Sequence, residues 1–568
     1  MRDVPPFWRF LPDSEAPGAP GLRRAGAEGR GALARALRDA RHRFGAQRAA
    51  ALLRQAEAGE GGFMRPLKVL LASAFQPRAI EDALRLGFAI EGFSLVLRPV
   101  DGLAALEALL GEAEPPALGD LDLALLPLVA PTAAAMRAAS DLAARLAAKS
   151  LAPVLLLFVG AEGEAPPLDD PPPGVTVLTV AVPGPATDDR FARTFGLLPS
   201  AAAADRLADA AAAEAARLRG MAPKLLVTDL DGTLWAGTLG EDGAGALRLH
   251  RPYAAALRRL SDRGIVLAIA SRNDPRDLDA SFAAHPDWPL GTRDFAATAL
   301  GWDDKEVLVA EALRRLGLAA EHMVFVDDDA VNCARVASRF PDADIRHFDA
   351  ASMEDFAAAL ADDPRLAGAV PSGGHERADH YRRRAAVEAL RAETPDVGDF
   401  LKRLDSRLTL EPLGPALVPR AAELGARVNQ FLLTGFRPNA PDLSRRASPF
   451  DFMVRLDDVF GAHGLVGLVL AARDGDRVRL DNLFLSCRAL GRGVEDAMLR
   501  ALGDLARQAG AAAIAVRLDD LPRNEPARRW FSRYGDWARR EKDSMLLDTD
   551  RLIDPQDLTV RWNRATTF

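Results

Sequence analysis

The chain has 568 residues, 49% of them hydrophobic and 27% charged, with a net charge of −8, enough for roughly three or four domains of about 100–200 residues. The mild acidity excludes the basic face of a nucleic-acid binder. No apolar run of about 20 residues marks a membrane span. Two distant cysteines, Cys333 and Cys487, exclude a disulfide framework and, with no leader-like N-terminus, predict a cytoplasmic protein.

In chain order, residues 1–64 read as a Pro/Gly-rich arm followed by an Ala/Arg-rich helical stretch. Over 65–219 the apolar runs KVLLAS, FSLVLRPV, DLALLPLV and APVLLLFVG alternate with helical sequence, which predicts a parallel α/β domain. The segment EGEAPPLDDPPPG is a Pro-rich surface loop, and an Ala-rich connector helix at about 200–219 closes the region. A second α/β series begins at KLLVTDLDGT and occupies 220–370. The last region, 371–568, opens with a charged helix. The runs FDFMVRL, GLVGLVLAA and VRLDNLFLS then read as antiparallel strands, and the helix VEDAMLRALGDLARQ follows a Gly-rich turn, giving an α+β domain. The fold class is therefore multidomain α/β.

The most informative segment is KLLVTDLDGTLW. An apolar strand ends in Asp229, and Asp231 follows two residues on; open α/β sheets place their sites at strand carboxyl ends. Gly232 permits a sharp turn directly after them. Carboxylates this close repel one another and call for a cation, and Mg²⁺ favours carboxylates, water and phosphate oxygens. Further along, VLAIAS is a strand ending in Ser271, GWDDK supplies Lys305, and VFVDDD is a strand ending in acids. The intervals between these segments are too short for a large cap domain, and WAGTLGEDG reads as a short flap. The motif resembles the D-x-D-G-T signature of haloacid-dehalogenase phosphatases. By that resemblance Asp229 attacks phosphorus and Asp231 is the general acid/base. Ser271 and Lys305 hold phosphoryl oxygens, and Asp327 with Asp328 completes the Mg²⁺ site.

Near the C-terminus, RALGRG lies between a strand and a helix and matches R-x-x-G-x-G, the loop of acetyltransferase-like (GNAT) folds. A helix N-terminus with a Gly-rich approach suits a phosphate. The resemblance assigns Arg488, Gly491, Arg492 and Gly493 to the pantetheine-phosphate arm of coenzyme A or a carrier protein. Cys487 beside the loop reads either as a small buried residue or as a thiol that carries an acyl group. Cys333 reads as core.

Taken together, LVTDLDGTLWAGTLGEDG, AIASRND, GWDDK, VFVDDDAVNCARV, ARVNQFLLTGFR, FGAHGLVG and LFLSCRALGRGVE resemble the FkbH-like family of natural-product assembly, polyketides among them. The resemblance implies an SGNH-like N-terminal α/β region, a Rossmann-like dehalogenase core and a GNAT-like C-terminal domain. It implies transfer of a glyceryl unit from a phosphorylated donor, 1,3-bisphosphoglycerate, through an enzyme thiol to the phosphopantetheine thiol of an acyl carrier protein, with phosphate released at the aspartate site. Many members carry Cys just before the second-motif Ser; Ala270 stands there in this chain, so an acyl-thiol step would need another thiol such as Cys487. Two other expectations are a phosphatase whose C-terminal domain docks a carrier protein or CoA thioester, and a non-catalytic scaffold. Ser73, in LLASAF, lacks the G-D-S of active SGNH esterases and predicts a scaffolding N-terminal region.

Overall fold

The computed structural model describes residues 18–58, 64–112, 118, 120–150, 152–161, 171–172, 174–182, 184–188, 198–366, 374–428, 430–486, 489–521, 524–541, 544–555 and 557–563. The chain divides into two compact units, Met1–Arg382 and Arg383–Phe568.

The first unit opens with three helices, α1 (Ala19–Glu28), α2 (Arg30–Phe44) and α3 (Ala46–Glu57). Five parallel strands follow: β1 (Arg65–Ser73), β2 (Phe93–Asp101), β3 (Leu123–Val129), β4 (Val154–Ala161) and β5 (Val175–Val182). They lie in the order β2-β1-β3-β4-β5. Helices α4 (Arg78–Ile90), α5 (Leu103–Gly111), α6 (Ala133–Lys149) and α7 (Ala201–Leu218) cover them. Both faces of β3 are buried, so it reads as an unbroken apolar run. Ser73 is fully buried and its hydroxyl donates to the Phe75 carbonyl, which leaves it no role as an esterase nucleophile.

A second parallel sheet contains β6 (Leu225–Thr228), β7 (Val266–Ser271), β8 (Phe295–Leu300), β9 (Met323–Asp327) and β10 (Asp344–His347). Its order is β8-β7-β6-β9-β10. The chain builds outward from β6 to β8, then crosses to β9 on the other side. The strand order therefore reverses between β6 and β9, and ligands bind at such a switch point beyond the carboxyl ends. Helices α8 (Arg251–Asp262), α9 (Pro275–Ala283), α10 (Lys305–Leu316), α11 (Ala330–Arg339) and α12 (Met353–Ala361) complete this layer. Among the described residues no cap domain interrupts it. Between β6 and α8 there is only a short flap, in which Trp235–Ala236 pairs antiparallel with Arg248–Leu249.

Helix α2 ties its own arm to the β10 side of the second sheet. Gly31 lies so close to the 341–343 backbone that an added Cβ would fall 2.2 Å from the Ala343 carbonyl oxygen. Beyond it Arg35 donates to Ala343 O at 3.0 Å, and Arg38 meets Asp344 at 3.1 Å. Asp344 also pairs with Arg346 and Arg365, and these arginines share Asp363. Buried charges need such multiple partners to offset their lost hydration.

The second unit is built on one eight-stranded sheet. Its strands are β11 (Ser406–Pro412), β12 (Phe452–Asp458), β13 (Gly461–Asp474), β14 (Arg477–Leu485), β15 (Ala513–Val516), β16 (Arg539–Glu541), β17 (Ser544–Asp548) and β18 (Leu558–Trp562). The order is β16-β17-β15-β14-β13-β12-β11-β18. The three long apolar runs form the antiparallel centre, as their sequence predicts. Helices α13 (Val494–Gln508) and α14 (Glu525–Ser532) pack their apolar faces on it. Strand β14 pairs with β15 only over Val478–Leu480, and the two diverge beyond. Segment 431–436 fills the divergence. Leu485 N donates to Phe431 O, Asp519 N donates to Leu433 O, and the fully buried Asn482 side chain binds the backbone of Leu433, Thr434 and Phe436.

Among the described residues no helix is long and apolar enough to cross a membrane.

Candidate active site

Asp229 stands at the carboxyl end of β6, where its N–H donates to Val326 O of β9 at 3.0 Å. Asp327 ends β9 on the other side of the switch point and is fully buried. Lys305 begins α10 and is also buried, and its ammonium reaches between these two strands. Nζ lies 2.7 Å from Asp229 Oδ1, 3.1 Å from Asp327 Oδ2 and 3.2 Å from the Ala270 carbonyl oxygen of β7. Asp327 accepts further bonds from Asp329 N and from Asn332 Nδ2 on α11. Asp328 is held by Thr233, whose hydroxyl donates to Oδ1 at 2.9 Å and accepts from the Asp328 N–H at 3.0 Å. Gly232 makes the turn between them at φ +77°, and a Cβ there would lie 2.2 Å from Asp328 Oδ2.

Asp231 points elsewhere. Its Oδ1 accepts from Trp235 Nε1 at 2.7 Å and from Leu239 N of the flap at 3.1 Å. Its Oδ2 accepts from Asn273 Nδ2 at 3.0 Å, and the same amide donates to Ser271 Oγ at 3.1 Å. Trp235 is fully buried, with its ring edge-on to Phe282 and tilted against Trp288, so the indole N–H is fixed in direction. Asn273 thus links Asp231 to the hydroxyl at the end of β7.

Carboxylate oxygens of Asp229, Asp327 and Asp328 lie within 4.8 Å of one another, a spacing that suits a single metal ion. The sequence expectation also counts Asp231 among the metal ligands, and its side chain is not in this cluster. Among the described residues one ammonium, that of Lys305, is paired within this group of three carboxylates, which leaves an excess of negative charge. Burial works against the Lys305 ammonium, but the Asp229 and Asp327 charges outweigh it and hold its pKa above the ordinary lysine value. Burial, reinforced by the Asp229 charge, pushes the Asp327 carboxyl up. Burial also raises Asp328. Asp229 Oδ1 is buried and accepts no well-aligned hydrogen bond among the described residues, despite the nearby ammonium. An oxygen-rich cluster with excess negative charge fits Mg²⁺.

Two further residues that the sequence singles out border the cluster. Cys333 is buried, its Sγ directed at Asp327 O and its thiol pushed far up by burial, consistent with core. Ala270 is buried and offers only its backbone carbonyl to Lys305. In the second unit, Cys487 and Arg488 fall outside the described residues. Gly491 and Gly493 take left-handed conformations (φ +73° and +74°), and Gly493 leads directly into α13. Arg492 lies between these two glycines. Its guanidinium turns inward to Asp458 at 2.8 Å, where His463 also bonds at 2.6 Å.

Sequence reasoning missed Trp235, Asn273, Thr233 and Asn332. Three of them lie within two residues of a singled-out position and Trp235 within four. Proximity to the motifs was the available signal, and none of their contacts follows a local period.

No protein-family model and no curated protein matches the chain. Among solved structures it is similar to the N-terminal part of the protein BF1531 from Bacteroides fragilis, described as containing a phosphatase domain complexed with Mg. Identity is 16% over 55% of this chain and 98% of that one, with a TM-score of 0.46. It is also similar to 3-deoxy-D-manno-octulosonate 8-phosphate phosphatase from Moraxella catarrhalis (20% identity, 23% of this chain, 70% of that one, TM-score 0.17). A third likeness is to ribosomal-protein-S18-alanine N-acetyltransferase from Escherichia coli (14% identity, 26% of this chain, 97% of that one, TM-score 0.19).

Proposed function

We propose that the chain is a Mg²⁺-dependent phosphohydrolase of the haloacid-dehalogenase type, with Asp229 as the nucleophile. The observation that carries this reading is the placement of Lys305 between Asp229 and Asp327 at the switch point of the second sheet, with Asp231 held separately at its rim.

In this reading Asp229 attacks phosphorus and forms an aspartyl phosphate. Lys305 stays beside the attacking carboxylate and offsets charge on the transferring group. Ser271, whose hydroxyl oxygen accepts from Asn273, donates to a phosphoryl oxygen. Asp231, only partly buried, delivers a proton to the leaving oxygen and later takes one from the water that cleaves the aspartyl phosphate. Of its two oxygens, Oδ2 carries the single donor Asn273 and is the one available for that exchange. Asp229, Asp327 and Asp328 would hold Mg²⁺, which neutralises their charge and that of the phosphate. Without a cap domain the site is open to bulky phosphorylated substrates.

The resemblance to the FkbH-like family extends this reading to a glyceryl-loading step, in which the phosphate removed belongs to a three-carbon acyl unit bound for an acyl carrier protein. Ala270 and the buried, unreactive Cys333 favour hydrolysis alone in the first unit, because neither offers a thiolate to hold an acyl group. The test is incubation with Mg²⁺, 1,3-bisphosphoglycerate and a phosphopantetheinylated carrier, read by intact mass and by phosphate release. A glyceryl mass on the carrier supports loading. Phosphate without acyl mass leaves a phosphatase, and no phosphate release from this or simpler monoesters defeats the reading altogether.

A further inference from the structure

The first unit holds a cavity of about 1140 Å³ walled by α2, the end of α4, β5, α7, α12 and residues 362–365. None of the carboxylates clustered around Asp229 lines it. Arg38, Arg346 and Arg365 form part of its wall, with side chains only 12%, 8% and 14% exposed. Arg38 meets one carboxylate, Asp344, at 3.1 Å, and its Nη2 is buried with no hydrogen-bond partner among the described residues. A buried donor left unpaired is costly unless a ligand supplies the acceptor.

The same cluster is short of negative charge. Asp344 is shared by all three arginines, and Asp363 by Arg346 and Arg365. Burial works against both carboxylates, but the Arg365 and Arg346 charges outweigh it and hold them well below the ordinary aspartate value. The third carboxyl, Glu91, lies 3.7 Å from Arg365, and burial pushes it up instead. Arg35, also buried, adds a guanidinium bound to the Ala343 carbonyl rather than to a carboxylate. Guanidinium groups do not shed their charge in proteins. Four of them set against three carboxyls leave at least one buried positive charge unmatched. Glu28, the other acid near Arg35, is exposed and screened by water. Arg41, on the same helix, is matched by Asp205 and Asp209, which are about one-third exposed. The exposed rim carries Arg206, Arg263 and His42 with Asp355 and Asp362, and so supplies no negative excess.

One unmatched buried charge calls for one negative charge, and the planar guanidinium fits the two oxygens of a carboxylate. A phosphate dianion would bring a charge more than the cluster lacks. Ile90, Val182, Phe356 and Leu360 give the cavity an apolar wall. We infer that this cavity binds a small organic monocarboxylate, whose carboxylate pairs with Arg38 and accepts from its Nη2, and whose apolar body lies on that wall. The site is separate from Asp229 and does not rest on phosphate hydrolysis there.

Isothermal titration of the full chain in EDTA tests it, since without Mg²⁺ the carboxylates around Asp229 repel anions. The probes are 3-phenylpropionate, its neutral amide 3-phenylpropionamide, and inorganic phosphate. Phenylpropionate is expected to bind with a Kd of about 1 mM or below, and the amide and phosphate at least about tenfold more weakly. That comparison uses the unaltered protein. Arg38→Met is expected to weaken phenylpropionate at least about tenfold, and Arg38→Lys, which keeps the charge, to weaken it less. Ala359 lines the cavity from an exposed position on α12, so Ala359→Trp fills the space without disturbing the buried charges and should weaken phenylpropionate likewise. The inference is overturned if phenylpropionate does not bind, if the amide or phosphate binds as tightly, or if affinity is unchanged in Ala359→Trp or in a folded Arg38→Met.

Discussion

Replacing Trp235 with Phe removes one N–H and little else. The Phe ring still fills most of the space against Phe282 and Trp288, but Asp231 Oδ1 loses its 2.7 Å donor. A hydrogen bond to a charged group is worth about 1.5–3 kcal/mol, and about 1.4 kcal/mol is tenfold in rate, so the ceiling on the loss is roughly 10–150-fold. Leu239 N and Asn273 remain on the carboxylate and preserve part of its orientation, which brings the expected fall in kcat to about tenfold. The assay compares two substrates in Mg²⁺. An alkyl phosphate has a poor leaving group and needs the proton that Asp231 delivers, whereas p-nitrophenyl phosphate leaves without one. The alkyl ester should therefore lose about tenfold and the aryl ester much less, with Mg²⁺ affinity unchanged. Equal losses for both esters would refute the assignment of Asp231 as the acid and of Trp235 as the residue that positions it.

Gly232→Ala should cost about 1–2 kcal/mol of stability for the left-handed backbone. It should also weaken Mg²⁺ about tenfold or more in a calorimetric titration, because the new methyl displaces Asp328; unchanged Mg²⁺ affinity would remove Asp328 from the ligand set. Lys305→Met should lose about 3–5 kcal/mol in urea unfolding, since it strands Asp229 and Asp327 without their ammonium. Mg²⁺ should recover part of that loss, and an equal loss with and without Mg²⁺ would contradict a cation site. Burial pushes Glu495 up to about 7 from the 4.5 of a free glutamate. The folded protein then holds a proton that the unfolded chain releases, so stability falls as pH rises from about 4.5 to about 7 and is flat above. Glu495→Gln should remove that slope and stabilise the protein at pH 8 by up to about 3 kcal/mol, read from urea midpoints at several pH values.

Much of the phosphoryl site was legible because its residues sit at strand ends within short, separate motifs. Asp229, Ser271 and Asp327 end apolar runs that could only be buried strands, and the parallel sheet brings those ends together. The burial of Lys305 was not legible. GWDDK reads as a polar loop, and only the start of α10 directs that side chain inward. Likewise Arg35 and Arg38 look like the solvated face of an Ala/Arg-rich helix, yet both are spent on residues 343 and 344, about three hundred positions away. Strand β5, VTVLTVAV, went unmarked behind its Pro-rich neighbour, and β11 and β18 are short runs whose pairing is wholly non-local. The pairing of Arg492 was not legible for the same reason: its partner Asp458 ends β12, more than thirty positions away.

The central claim is covalent catalysis by Asp229, and the most direct measurement is to trap the intermediate. The protein is mixed with Mg²⁺ and a phosphomonoester, quenched in acid during turnover, and reduced with borohydride, which converts an acyl phosphate on aspartate to homoserine. Peptide mass spectrometry should find homoserine at position 229, and none in Asp229→Asn or without Mg²⁺. Steady phosphate release with unmodified Asp229 in the quenched and reduced protein would contradict the account.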